Sequence, residues 1–199
     1  MRKFQSLGVF CGSSAGTLKI YGEAASNLGR LLAAQGIKLI YGGGNIGLMG
    51  QLADACLLAG GEVCGVITRK LRDVELAHPG VSEMLVVETM AERKSTITAL
   101  SEGYIALPGG YGTLDELFEV LTLQQLNIEH KPIGLLNTAA YYDPFRKMVD
   151  HAVQQRFIRP EHTGVYTIAD DPQTLLSEMA SMQAVETKKW LDDFRHNEY

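Results

Sequence analysis

The stretch "ALPGGYGTLDELFEV", Ala106 to Val120, runs from apolar strand residues through a glycine-rich turn into a helix that carries acids. Strand, tight turn and helix in that order form the repeating unit of a parallel sheet. The same change of rhythm recurs in both directions. Strands are expected at 6–11, 37–41, 62–67, 84–88, 103–108, 131–137 and 165–169. Helices are expected at 19–35, from the GGGNIG turn through Leu58, at 90–102, 114–127, 142–155 and 172–182. The polar connection 68–83 breaks the alternation and has room for a short helix. Short, continuously apolar strands suit a sheet covered on both faces. The fold class is therefore α/β: a Rossmann-like doubly wound parallel sheet with helices on both faces, in a single domain over 1–182. The remainder, 183–199, is a charged tail that either frays or packs as a terminal helix through Trp190, Leu191 and Phe194.

With 199 residues, one sizeable core is the default. A formal net charge of -5 and the absence of a basic block argue against nucleic-acid binding, which needs clustered Lys and Arg. A single small anion is compatible, because a helix N-terminus can hold a phosphate with little net charge. Cys11, Cys56 and Cys64 form neither a disulfide framework nor a metal-type pair, so buried reduced thiols in a cytoplasmic protein are expected. No apolar run reaches the roughly 18 residues of a membrane span, and the N-terminus lacks the apolar core of a signal peptide. No metal and no cofactor are implied.

In an open parallel sheet, ligands bind beyond the carboxyl ends of the strands. Three strand ends carry glycine-rich turns: "CGSSAG" (11–16) with the hydroxyls of Ser13 and Ser14, "GGGNIGLMG" (42–50) with Gly43 and Gly44, and "PGGYGT" (108–113). Each can present backbone N–H groups to an anion. Gly42, Gly44 and Gly47 satisfy G-x-G-x-x-G, but no acid follows at the end of the next strand, "GVITRK", and the motif follows the second strand. A dinucleotide cofactor is therefore disfavoured. Arg93 and Lys94 fall near the start of a helix on the ligand side, where an Arg fork suits phosphate or carboxylate. Thr113-x-x-Glu116 has the spacing of a capping box, and Glu116 is equally placed to face a bound sugar.

"PGGYGTLDE" resembles the PGGxGTxxE motif of the Lonely Guy (LOG) family, the cytokinin riboside 5'-monophosphate phosphoribohydrolases. "CGSS", "GGGNIGLMG", "MAERK" and "KPIGLLN…YYDPF" are similar to that family's blocks, in the same order, over roughly 5–180. The resemblance implies hydrolysis of the N-glycosidic bond of an adenine-type nucleoside 5'-monophosphate (a cytokinin nucleotide or AMP) to free base and ribose 5-phosphate. It implies Arg93 and Glu116 as the catalytic pair. It implies substrate contacts from Glu75, Arg93, Lys94, Gly109, Gly110, Tyr111, Gly112, Thr113 and Thr122, and a homodimer with the site near the interface. Ala91 stands where the family commonly has His, and Thr68 where it commonly has Pro; both are expected near the base. Such sequences have been labelled lysine decarboxylases, but no pyridoxal-phosphate constellation is present and the chain is short for that fold. The rival class is a non-enzymatic binding module of the molybdenum-cofactor carrier type, which shares the general fold.

Overall fold

The structure is a computed structural model and describes residues 2–74 and 76–183. Glu75 and the part of the charged tail that carries Trp190, Leu191 and Phe194 lie outside the described residues. In chain order the elements are β1 (Ser6–Phe10), α1 (Lys19–Ala34), β2 (Lys38–Tyr41), α2 (Gly47–Leu58), β3 (Val63–Thr68), α3 (Arg69–Asp73) and β4 (Glu83–Val87). They continue as α4 (Met90–Leu100), β5 (Tyr104–Ala106), α5 (Tyr111–Gln125), β6 (Ile133–Leu136), α6 (Asp143–Gln154), β7 (Thr167–Ala169) and α7 (Pro172–Ser181). All seven expected strands form, and the expected helices form within a few residues of their limits.

The strands make one sheet of order β4-β3-β2-β1-β5-β6-β7, and every pairing is parallel. The period of two along each strand sorts the core into two layers. Leu7, Val9, Leu39, Tyr41 and Ile105 meet the buried faces of α1, α2 and α7. Phe10, Ile40, Val66, Tyr104 and Leu135 face residues of α4, α5 and α6. The chain winds outward from β1 to β4, then returns to the middle and winds the other way from β5. The adjacent ends of β1 and β5 therefore feed loops that diverge, which opens a crevice between them.

One predicted feature is corrected. Helix α5 begins at Tyr111 rather than Leu114, with Gly110 as its N-cap and no side-chain cap. Thr113 is therefore the third residue of the helix, and the Thr113–Glu116 capping box does not form. The capping box is instead at α4, where Thr89 accepts from the Glu92 N–H and the Glu92 carboxylate accepts from the Thr89 N–H. Thr68 caps the short helix α3 by accepting from the Leu71 N–H at 3.3 Å.

Helices α1 and α2 approach closely at Gly29, where an added Cβ would lie 2.4 Å from the Leu52 carbonyl oxygen and 3.0 Å from the Cys56 nitrogen. Alanine is the better helix former by about 1 kcal/mol, but backbone atoms cannot step aside as a side chain can. Gly29→Ala should lower stability by about 1–3 kcal/mol, read as a lower urea midpoint at unchanged slope.

Candidate active site

The loop after β1 and the loop after β5 are joined at the crevice. The Gly12 N–H donates to the Pro108 carbonyl at 3.1 Å, and the Leu48 N–H donates to the Gly12 carbonyl at 3.0 Å. Gly47, at φ 61°, sits so close to Ser13 that an added Cβ would lie 2.3 Å from the Ser13 carbonyl carbon. The three glycine-rich turns thus form one interlocked floor, because only residues without side chains let the backbones approach this far.

Above this floor is a cavity of about 310 Å3. Its backbone side is made by Gly12, Ser13, Gly42, Gly44 and the first turn of α5, Gly110 to Thr113. Its apolar side is made by Ile46, Met49, Ile67, Leu71 and Leu76. Among the described residues its charged lining is Arg93 and Glu116. The first intrahelical bond of α5 is from the Leu114 N–H to the Gly110 carbonyl, 3.1 Å, so the N–H groups of the first turn precede the ladder. With no side-chain cap present, this helix end is suited to an anion.

Arg93, on α4, is buried, and its guanidinium spans three elements. Nε donates to the Val66 carbonyl within β3 (2.9 Å), and Nη2 to the Gly42 carbonyl just after β2 (3.0 Å). Nη1 faces Glu116 Oε1 on α5 at 3.5 Å. The side chains of Arg93 and Glu116 are 10% and 12% exposed, so this is a largely desolvated ion pair. Burial pushes the Glu116 carboxyl up to about 7, and Arg93 opposes that shift only in part. A carboxyl that titrates near neutrality beside a fixed cation in a cleft has the signature of a functional group. Cys11 lines the same cavity, and its burial, followed by the Glu116 charge, raises the thiol well above its ordinary range.

The remaining predicted residues divide. Gly44, Gly110, Tyr111, Gly112 and Thr113 line the cavity, with the Tyr111 side chain 94% exposed at its mouth. Gly109 stands behind it, with its carbonyl accepting from the Tyr141 hydroxyl. Gly43, at φ 71°, lies to the side and accepts the His78 N–H. Ser14 Oγ accepts from the Gly16 N–H at 3.2 Å, and it is Ser13 that lines the cavity. Lys94 pairs with Asp115 (3.1 Å) and Glu119 (2.6 Å) on the outer side of α5. Thr122 is exposed, and its hydroxyl donates to the Phe118 carbonyl at 2.7 Å. Neither Lys94 nor Thr122 lines the cavity, and neither do Ala91 and Thr68. The apolar wall of Ile46, Leu71 and Leu76 had no motif to mark it, because it comes from segments that meet only in the fold. There the Asn45 N–H donates to the Leu76 carbonyl, and Gly44 bridges to Ala77.

A family model described as a possible lysine decarboxylase matches residues 49–179. No lysine lines the cavity among the described residues, which gives no support to that description. A probable cytokinin riboside 5'-monophosphate phosphoribohydrolase of Oryza sativa subsp. japonica is 44% identical, over 89% of this chain and 72% of that one. A cytokinin riboside 5'-monophosphate phosphoribohydrolase of Arabidopsis thaliana is 41% identical, over 92% and 80%. Among solved structures, the molybdenum cofactor carrier protein of Chlamydomonas reinhardtii superposes with a TM-score of 0.69 at 22% identity, covering 90% of this chain and 98% of that one. The molybdenum cofactor binding protein of Rippkaea orientalis gives 0.68 at 24%, covering 91% and 98%. These structures share the fold, whereas identity at the level of the plant enzymes extends to sequence: the chain belongs to the Lonely Guy family of cytokinin riboside 5'-monophosphate phosphoribohydrolases.

Proposed function

We propose that the protein hydrolyses the N-glycosidic bond of adenine-type nucleoside 5'-monophosphates, cytokinin nucleotides or AMP, to the free base and ribose 5-phosphate. The observation that carries this reading is the buried Glu116 carboxylate, 3.5 Å from Arg93, in a cavity that also holds an uncapped helix N-terminus. The 5'-phosphate takes the first turn of α5 and the interlocked glycine turns. The base takes the apolar wall.

In the reaction the C1'–N9 bond breaks with its electrons going to the base. The sugar becomes oxocarbenium-like, water adds at C1' and loses a proton, and the base gains one. Ionised Glu116 stabilises the cationic sugar or accepts the proton of the attacking water. Two of the three nitrogens of Arg93 are occupied by backbone carbonyls. That leaves Nη1 to orient Glu116, so orientation is the role assigned to Arg93. Lys94 and Thr122 do not reach the cavity within one chain. Phe118 and Thr122 of α5 and Leu126, its C-cap, follow at intervals of four on one face, and Phe118 and Leu126 are exposed. This supports a homodimer built on that face, to be checked by sedimentation equilibrium. A cytoplasmic setting belongs to the same reading and is supported by three free, buried thiols. The molybdenum-cofactor carrier alternative has only the fold in its favour.

Chromatography of the purified protein with AMP and with isopentenyl-AMP should show release of free base. Tight molybdopterin binding with no base released would sink the enzyme reading. Glu116→Gln should lower kcat by about 100-fold or more. Wild-type kcat/KM should rise with pH through a midpoint near 7, because the ionised carboxylate is the working form.

The same carboxyl ties stability to pH in the opposite sense. Its folded value stands above the unfolded 4.5, so its stabilising contribution is complete below about pH 4.5 and lost as pH rises through 7. Glu116→Gln should therefore gain stability relative to wild type between pH 5 and pH 8, approaching about 3 kcal/mol at the alkaline end. Thermal melts across that range would reveal it.

A further inference from the structure

Two consecutive alanines after β6 adopt the left-handed backbone region: Ala139 at φ 53°, ψ 36° and Ala140 at φ 59°. A residue with a Cβ pays about 1–2 kcal/mol for this conformation. Asn137 holds the turn together. Its N–H donates to the Ala169 carbonyl, its carbonyl accepts the Ala140 N–H, its side-chain oxygen accepts the Tyr142 N–H, and its amide donates to Asp143. The outcome is that Tyr141 and Tyr142 turn back toward the loop after β5. The Tyr142 hydroxyl donates to the Leu107 carbonyl at 2.7 Å, and the Tyr141 hydroxyl to the Gly109 carbonyl.

A peptide group is planar and trans, so its C=O and N–H point in opposite directions. The Gly109 carbonyl belongs to the peptide whose N–H is that of Gly110. A Gly-Gly peptide has little of its own to stop it flipping, since neither residue carries a Cβ. An added Cβ on Gly109 would lie 2.1 Å from Thr113 Oγ1, but one on Gly110 would meet nothing within 4 Å, so packing encloses the first residue of this peptide and leaves the second open. Fixing the Gly109 carbonyl outward, against Tyr141, turns the Gly110 N–H inward, and Gly110 lines the cavity. The preceding peptide is held in the same way, with the Pro108 carbonyl accepting the Gly12 N–H at 3.1 Å.

We propose that Tyr141 is a positioning residue: its hydroxyl, aimed by the strained Ala139–Ala140 turn, locks the Gly109–Gly110 peptide with its N–H toward the bound phosphate. This role rests on the cavity being the phosphate site of a nucleotide hydrolase. Tyr142 provides an internal control. The peptide after Leu107 ends in the nitrogen of Pro108, which has no N–H to aim, so the Tyr142 hydroxyl is a structural anchor alone.

The test is Tyr141→Phe beside Tyr142→Phe. Each removes one hydroxyl and keeps the ring that packs edge-on against its neighbour. Inhibition constants for ribose 5-phosphate and for free adenine are measured for both variants and the wild type, with KM and kcat for AMP. Tyr141→Phe should weaken ribose 5-phosphate by about tenfold and raise KM, while adenine inhibition stays at the wild-type level. Tyr142→Phe should lower the melting temperature and leave ribose 5-phosphate affinity unchanged. Wild-type affinity for ribose 5-phosphate in Tyr141→Phe, or equal losses in both variants, overturns the role. Failure of the wild type itself to bind ribose 5-phosphate or to release base overturns the underlying nucleotide reading as well.

Discussion

One buried guanidinium connects the parts of this molecule that matter for chemistry. Arg93 comes from α4, takes its acceptors from within β3 and just after β2, and presents its remaining edge to Glu116 on α5. A buried cation is tolerable only if its donors are satisfied, and here backbone carbonyls do most of that. Because the carbonyls belong to the sheet, the sheet sets the position of the charge. Gly42 has no side chain because an added Cβ would lie 1.9 Å from Arg93 Nη2. A glycine that looks like part of a phosphate motif thus also makes room for the arginine.

The pair also explains why Glu116 can titrate near neutrality. Full solvation would return the carboxyl to its ordinary range, and a tight bidentate contact would drive it lower. A 3.5 Å approach by a cation already engaged elsewhere does neither, so burial dominates. This leaves the folded state with a charge it would be more stable without.

Much of this was legible in the chain. Alternation of apolar runs with amphipathic stretches specified seven parallel strands, and the rule that ligands gather at carboxyl ends pointed to all three glycine turns. One misreading was local. Thr113 and Glu116 have capping spacing, but Gly110 can take the N-cap conformation without a side chain, so α5 starts earlier and the box moves out of register. Thr89 and Glu92 carry the same pattern and do form it. Lys94 adjoins Arg93 in sequence, yet one step along a helix rotates a side chain by about 100°, which turns Lys94 toward Asp115 and Glu119.

The sequence by itself determined the fold class and the positions of the three glycine turns, because periodicity and turn composition are properties of contiguous residues, and the family resemblance singled out Arg93 and Glu116. The tertiary structure decided what depends on approach across the chain. It showed that Ser13 rather than Ser14 lines the cavity, and that Leu71 and Leu76 close its apolar side. It showed that a left-handed turn at Ala139–Ala140 brings Tyr141 to the glycine loop. These contacts join residues distant in sequence, and only the packing of helices onto the two faces of the sheet fixes them.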